Sequence, residues 1–141
     1  MRRAFTLPEL LLVLAVVGIL LGIALPPLTQ AVDRVEVHAA AAHLIAAHQR
    51  ARMLAVAKGQ VLTLAMDSAA LTIAERSSST ILWSEPGPGA SRVLLPGPTR
   101  HFTFAPEGFT LGLSNASLHL ARGSASRTVV FSRLGRARLL P

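Results

Sequence analysis

Several groups of side chains in this 141-residue sequence could do chemistry. The first is a lone carboxylate, Glu9, at the head of an apolar run from Leu10 to Leu25. An acidic side chain at the centre of a membrane helix costs roughly 2.5–3.5 kcal/mol on insertion scales, and less near the interface. A generic anchor avoids that cost, so Glu9 is expected to meet a partner inside the membrane. The competing reading is that it reaches back to the headgroups. The second group is Gly135-Arg136-Ala137-Arg138. On a strand, Arg136 and Arg138 point to the same face, and two guanidinium forks there could grip adjacent phosphates. From Arg92 to the C-terminus seven Arg, Arg133 among them, stand against one acid, Glu107. That skew suits a polyanion such as DNA. The competing reading is compositional, because the whole chain holds thirteen Arg and one Lys. No aromatic residue interleaves with Arg136 and Arg138, so any contact with DNA would be to the backbone and largely independent of sequence.

Catalysis has little support. His38, His43 and His48 recur every five residues, which on a helix turns them by ~140° per step, so they cannot converge on one metal ion. His101 and His119 stand alone. Asp67 and Glu75 flank a hairpin without a nucleophile or third partner. Ser77-Ser78-Ser79 reads as a polar turn, and the glycines lack phosphate-loop spacing. No enzyme activity, catalytic residue, cofactor or metal is expected.

The elements that must position these groups follow from periodicity. Phe5 to Leu25 covers about 31 Å as a helix at ~1.5 Å per residue, close to the ~30 Å hydrocarbon core. Arg2 and Arg3 precede it, so the N-terminus is expected in the cytoplasm and the remainder outside. A cleaved secretory signal is disfavoured: Leu25-Pro26-Pro27-Leu28 is a poor site for that peptidase, and the small residue, Ala4, lies before the apolar run. Pro26-Pro27 should kink or interrupt the helix. A second, alanine-rich helical stretch then runs from about 28 to 58, with Val35, Ala39, Ala42, Ile45 and Met53 near one face and Val37, Leu44 and Leu54 elsewhere. Gly59 after Lys58 is an expected C-cap.

Beyond Gly59 the period changes to two. Leu62, Leu64 and Met66 share a face, Asp67-Ser68 reads as a turn, and 71–74 returns. Further short strands are expected at 81–84, 93–95, 101–105, 117–121, 128–132 and 137–140, joined by Pro/Gly-rich connections such as Glu85-Pro86-Gly87-Pro88-Gly89. Trp83 is expected in the core rather than at a subunit contact. The fold class is α+β: a long N-terminal helix, half membrane-spanning and half amphipathic, packed on a small antiparallel β-sandwich. Net charge is +7 and cysteine is absent, so no disulfide or thiolate metal site exists.

Met1-Arg2-Arg3-Ala4-Phe5-Thr6-Leu7-Pro8-Glu9 resembles the class III signal of type IV prepilins and pseudopilins. The resemblance implies cleavage between Ala4 and Phe5 by a prepilin peptidase and methylation of the new N-terminal Phe5. Ala4 departs from the usual Gly, and Pro8 from the commonest residue at its position. Glu9 would then pair with the ammonium of a neighbouring subunit or its own, since a paired charge is tolerable where an unpaired one is not. The implied organisation is a leader at 1–4, a transmembrane helix at 5–25, a helical stalk at 26–58 and a periplasmic β-domain at 59–141. Phe102-Thr103-Phe104-Ala105-Pro106-Glu107-Gly108 and the ending from Thr128 to Arg138 are similar to the GspH/FimT branch of minor pseudopilins and minor pilins. Residues 77–100 match nothing in that branch. The resemblance implies a low-abundance subunit anchored in the inner membrane and assembled with other pseudopilins or pilins. The leading expectation is a type II secretion pseudopilus, priming or capping its assembly for protein export. The first alternative is a minor type IV pilin that binds DNA for uptake through Arg136 and Arg138. The second is a lone membrane-anchored domain with an uncut N-terminus.

Overall fold

The computed structural model describes residues 6–112, 115–132 and 135–140, apart from the side chains of Leu25 and Pro26. It contains one helix, α1 (Leu7–Lys58), and eight strands: β1 (Leu62–Met66), β2 (Ala70–Glu75), β3 (Ile81–Pro86), β4 (Arg100–Phe104), β5 (Thr110–Leu111), β6 (Ala116–Arg122), β7 (Ala125–Phe131) and β8 (Ala137–Leu140). The chain divides into two compact units, 1–32 and 33–141. Within the first, every described side chain from Leu7 to Ala24 is exposed. The helix assignment continues through Pro26-Pro27, against the expected interruption. Each proline still removes one backbone donor from the helix.

In the second unit, α1 turns a narrow face to the core: Val37, Ala41, Leu44, His48, Ala51 and Ala55, each at most 1% exposed. Their spacing alternates four and three, the period that keeps one stripe of a helix against a neighbour. Of the two sets of apolar residues that the sequence left open, the one with Val37 and Leu44 is buried, while Val35 and Met53 are 67% and 65% exposed. Alanines lie all round this stretch, so they did not mark one side. The helix ends as Gly59 suggested. At φ +62° its N–H donates to the Val56 carbonyl (3.3 Å), and the Gln60 N–H reaches back to Ala55 (3.2 Å). This paired arrangement satisfies carbonyls that a helix end leaves open.

One sheet has the order β3-β2-β1-β4-β5 and the other β6-β7-β8, with every named pairing antiparallel. Leu64 lies between Ile73 of β2 and Phe102 of β4. In the second sheet Leu118, Val129 and Leu139 stand in one row. The inward rows of both sheets and the stripe of α1 form one apolar cluster. The centroids of Phe102 and Phe131 are 5.0 Å apart, so the two sheets meet directly. The expected strand at 93–95 is not one. Pro88–Ser91 forms a 3-10 turn, and only Leu94 bridges, to Ala121. Gly87 and Gly89 lie so close to the Ser68 backbone that a side chain at either would collide with it. Trp83 is half-buried and packs against the cluster, with the Arg50 guanidinium 5.0 Å from its ring centroid.

Candidate functional site

The N-terminal helix opens with a cap that combines Thr6 and Glu9. The Glu9 N–H donates to the Thr6 carbonyl (3.1 Å), and the Thr6 N–H donates to Glu9 Oε2 (3.4 Å). The sequence Thr-x-x-Glu is a helix-start signature. Glu9 therefore has a local role: its carboxylate covers an open amide at the positive end of the helix. Ala4 and Phe5 lie outside the described residues. Downstream, Leu7, Leu12, Leu14, Ile19 and Ile23 expose 64–72% of their surfaces. A continuous apolar surface of this kind calls for lipid or other chains around it, and α1 is long and apolar enough to cross a membrane.

The arginine pair is placed by a turn and an edge strand. Gly135, at φ +72°, donates its N–H to the Ser132 carbonyl (2.9 Å), and Ser132 donates to Arg136 (2.9 Å). The Arg136 N–H returns to Ser132 Oγ (3.2 Å). β8 then pairs with β7, Arg138 opposite Val130. Alternation sends Ala137 and Leu139 toward the core cluster and leaves Arg136 and Arg138 exposed on the other face. With Val130 and Ser132 they line a shallow groove. Neither has an ion pair among the described residues. Arg133 lies outside the described residues.

The histidines separate into different environments. His38, His101 and His119 are exposed, and His119 Nδ1 is 2.9 Å from Thr128 Oγ1. His43 Nε2 lies 2.6 Å from Glu85 Oε2, and Arg50 approaches the same carboxylate at 3.7 Å. His48 is 1% exposed, stacked on Phe131 and edge-on to Phe102 and Phe104. Neither ring nitrogen has a hydrogen-bond partner among the described residues. Burial, aided by the charge of Arg52, lowers its pKa to about 4. Asp67 accepts from the N–H groups of Ala69 and Ala70 and shapes a turn. The Ser78 hydroxyl, then Ser77 and Lys58, hold the Glu75 carboxyl below its ordinary range. The arrangement offers charged and apolar surfaces for binding and assembly.

One further arginine carries structural weight that its sequence position did not signal. Arg122 Nε sits 3.0 Å from Asp33 Oδ1 and its Nη1 3.9 Å from Glu36 Oε2, while Nη1 donates to the Ser91 carbonyl at 2.7 Å. It ties the β6–β7 hairpin to α1 and to the 3-10 turn.

Comparison with known proteins agrees with this architecture. The family described as type II transport protein GspH matches residues 40–135, and the prokaryotic N-terminal methylation motif matches residues 1–25. The pilin-like protein PilA1 of Thermus thermophilus is 35% identical over 163 aligned positions, which cover 98% of each chain. The type IV minor pilin FimU of Pseudomonas aeruginosa has the same fold, with a TM-score of 0.63 over 77% of this chain and 90% of its own, at 22% identity. In a second crystal form FimU gives a TM-score of 0.57 at 20% identity, over 74% of this chain and 92% of its own. The α+β fold, the exposed apolar helix, the methylation motif and these matches converge: the chain belongs to the GspH family of type IV pilin-like minor pseudopilins.

Proposed function

We propose that this chain is a minor subunit of a type IV pilus-type filament, and that Arg136 and Arg138 contact the backbone of DNA. The observation that carries the DNA reading is the pair itself: two exposed guanidinium groups, Arg136 just before the edge strand β8 and Arg138 within it, without a carboxylate partner among the described residues. Full-length similarity to a pilin-like protein supports the pilus setting. A prepilin peptidase cuts between Ala4 and Phe5, Phe5 is methylated, and the apolar half of α1 holds the chain in the inner membrane until it enters the filament. Glu9 meets the ammonium of Phe5 on a neighbouring subunit. The domain stands on the periplasmic side.

A type II secretion pseudopilus is the second reading, favoured by the description of the matching family. The residues alone also favour it, while similarity to a pilin-like protein supports the pilus reading. The test is DNA binding by the full chain at two salt concentrations. Binding that weakens steeply with salt, and whose salt slope falls by about 2 in Arg136→Ala/Arg138→Ala, supports uptake. No binding by the parent removes the DNA reading and leaves secretion, which deletion of the gene followed by assay of exported proteins would then examine.

A further inference from the structure

A second basic site lies away from β8. Arg34 and Val37 of α1 face Ser124, Ala125, Ser126 and Arg127 of the β6–β7 hairpin across a cleft of about 400 Å³. We infer that this cleft binds one phosphate-type oxyanion between Arg34 and Arg127. The acids on the neighbouring turn of α1, Asp33 and Glu36, are both engaged by Arg122. Arg34 and Arg127 consequently have no carboxylate partner among the described residues. The hydrogen bond Arg127 makes there goes to the Ser126 carbonyl at 3.3 Å. Guanidinium groups stay charged at any working pH, so two of them in one cleft repel unless an anion lies between them.

The donors define the ligand. Two forks come from separate elements, and Ser124 and Ser126 line the same cleft. A planar carboxylate satisfies one fork well. A tetrahedral oxyanion presents oxygens in several directions and can serve donors arriving from two walls. The cleft volume also leaves room for an ester substituent. Gly123 forms the turn of this hairpin at φ +54°, so close to Asp33 that a Cβ there would force the carboxylate to shift.

The phosphate is either free in solution or carried by a phospholipid headgroup, and one experiment separates the two. The full chain in maltoside micelles, which hold no phosphate, is titrated with inorganic phosphate by calorimetry at fixed ionic strength. Saturable 1:1 binding is expected, weakened at least about tenfold by Arg34→Gln or Arg127→Gln and unchanged by Arg136→Gln/Arg138→Gln. The titration is repeated in phosphatidylglycerol nanodiscs. Loss of the phosphate signal there identifies the headgroup as occupant, and its persistence identifies free phosphate. Absence of saturable binding in micelles overturns the inference. So does equal binding by the Arg34→Gln/Arg127→Gln double variant, or displacement of phosphate by a DNA duplex through these same two arginines.

Discussion

The imidazole of His48 stacks on the ring of Phe131, with centroids 4.6 Å apart and planes 28° from parallel. It joins α1 to the second sheet, while Phe102 and Phe104 bring the first sheet against its edges. A polar ring therefore sits where helix and both sheets meet. Only its neutral form suits that position, because an unpaired charge there would lose its hydration without compensation.

That placement makes the domain acid-sensitive. The folded-state pKa of His48 is about 4, below its ordinary 6.5. Between these values the unfolded chain binds the proton and the folded chain does not, so stability falls as pH drops through this window. The full loss is about 3 kcal/mol. Urea unfolding at pH 7 and at pH 4.5 should show it, and His48→Leu should flatten the dependence without lowering stability at pH 7. An unchanged slope in the variant would assign the acid sensitivity elsewhere. The Ser78 hydroxyl holds the Glu75 carboxyl below its ordinary 4.5, so its own contribution is also lost as pH falls.

Arg122 and Gly123 fasten the β6–β7 hairpin to α1. Arg122→Ala should cost about 1–3 kcal/mol, because it strands the mostly buried Asp33 carboxylate. Gly123→Ala should cost at least about 1–2 kcal/mol from its left-handed backbone alone, before the collision with Asp33 is counted. Denaturant midpoints of the two variants measure both effects. Full stability of Gly123→Ala would show that the hairpin can move off the helix.

Glu9 has two roles that substitution can separate. Glu9→Gln keeps an acceptor for the Thr6 N–H and removes the charge. Glu9→Val removes both. Each should leave membrane insertion intact, since either side chain is cheaper in lipid than a carboxylate. Each should also abolish entry into filaments, as the charge pair requires. Filament preparations probed for the variant chain provide the readout. Normal incorporation of Glu9→Gln would reduce Glu9 to a helix cap.

Much of this architecture was legible in residue order, and the exceptions have physical causes. Alternation at Leu62, Leu64 and Met66, and again at Ala137 to Leu140, fixed which side chains face inward, because a strand has a rigid period of two. Gly59 marked the helix end through a backbone conformation that glycine adopts freely. The core face of α1 stayed open in the sequence because alanines surround it and its core stripe includes His48, a residue that pattern reading counts as polar. The stretch 93–95 is apolar enough for a strand, but Gly87 and Gly89 let the preceding chain press against Ser68 and wind into a 3-10 turn. Around β8, Arg136 and Arg138 are both exposed while Ala137 and Leu139 pack on the core. The cleft of Arg34 and Arg127 joins residues 93 positions apart in sequence, and only tertiary packing brings them together.

Entry into a filament requires that the leader be removed first, and intact-mass and N-terminal peptide spectrometry of the chain from native membranes tests this. The expected result is loss of Met1 to Ala4 and an N-terminal Phe5 carrying one added methyl group. A chain that keeps Met1-Arg2-Arg3-Ala4, or one cut beyond Leu25, would contradict it.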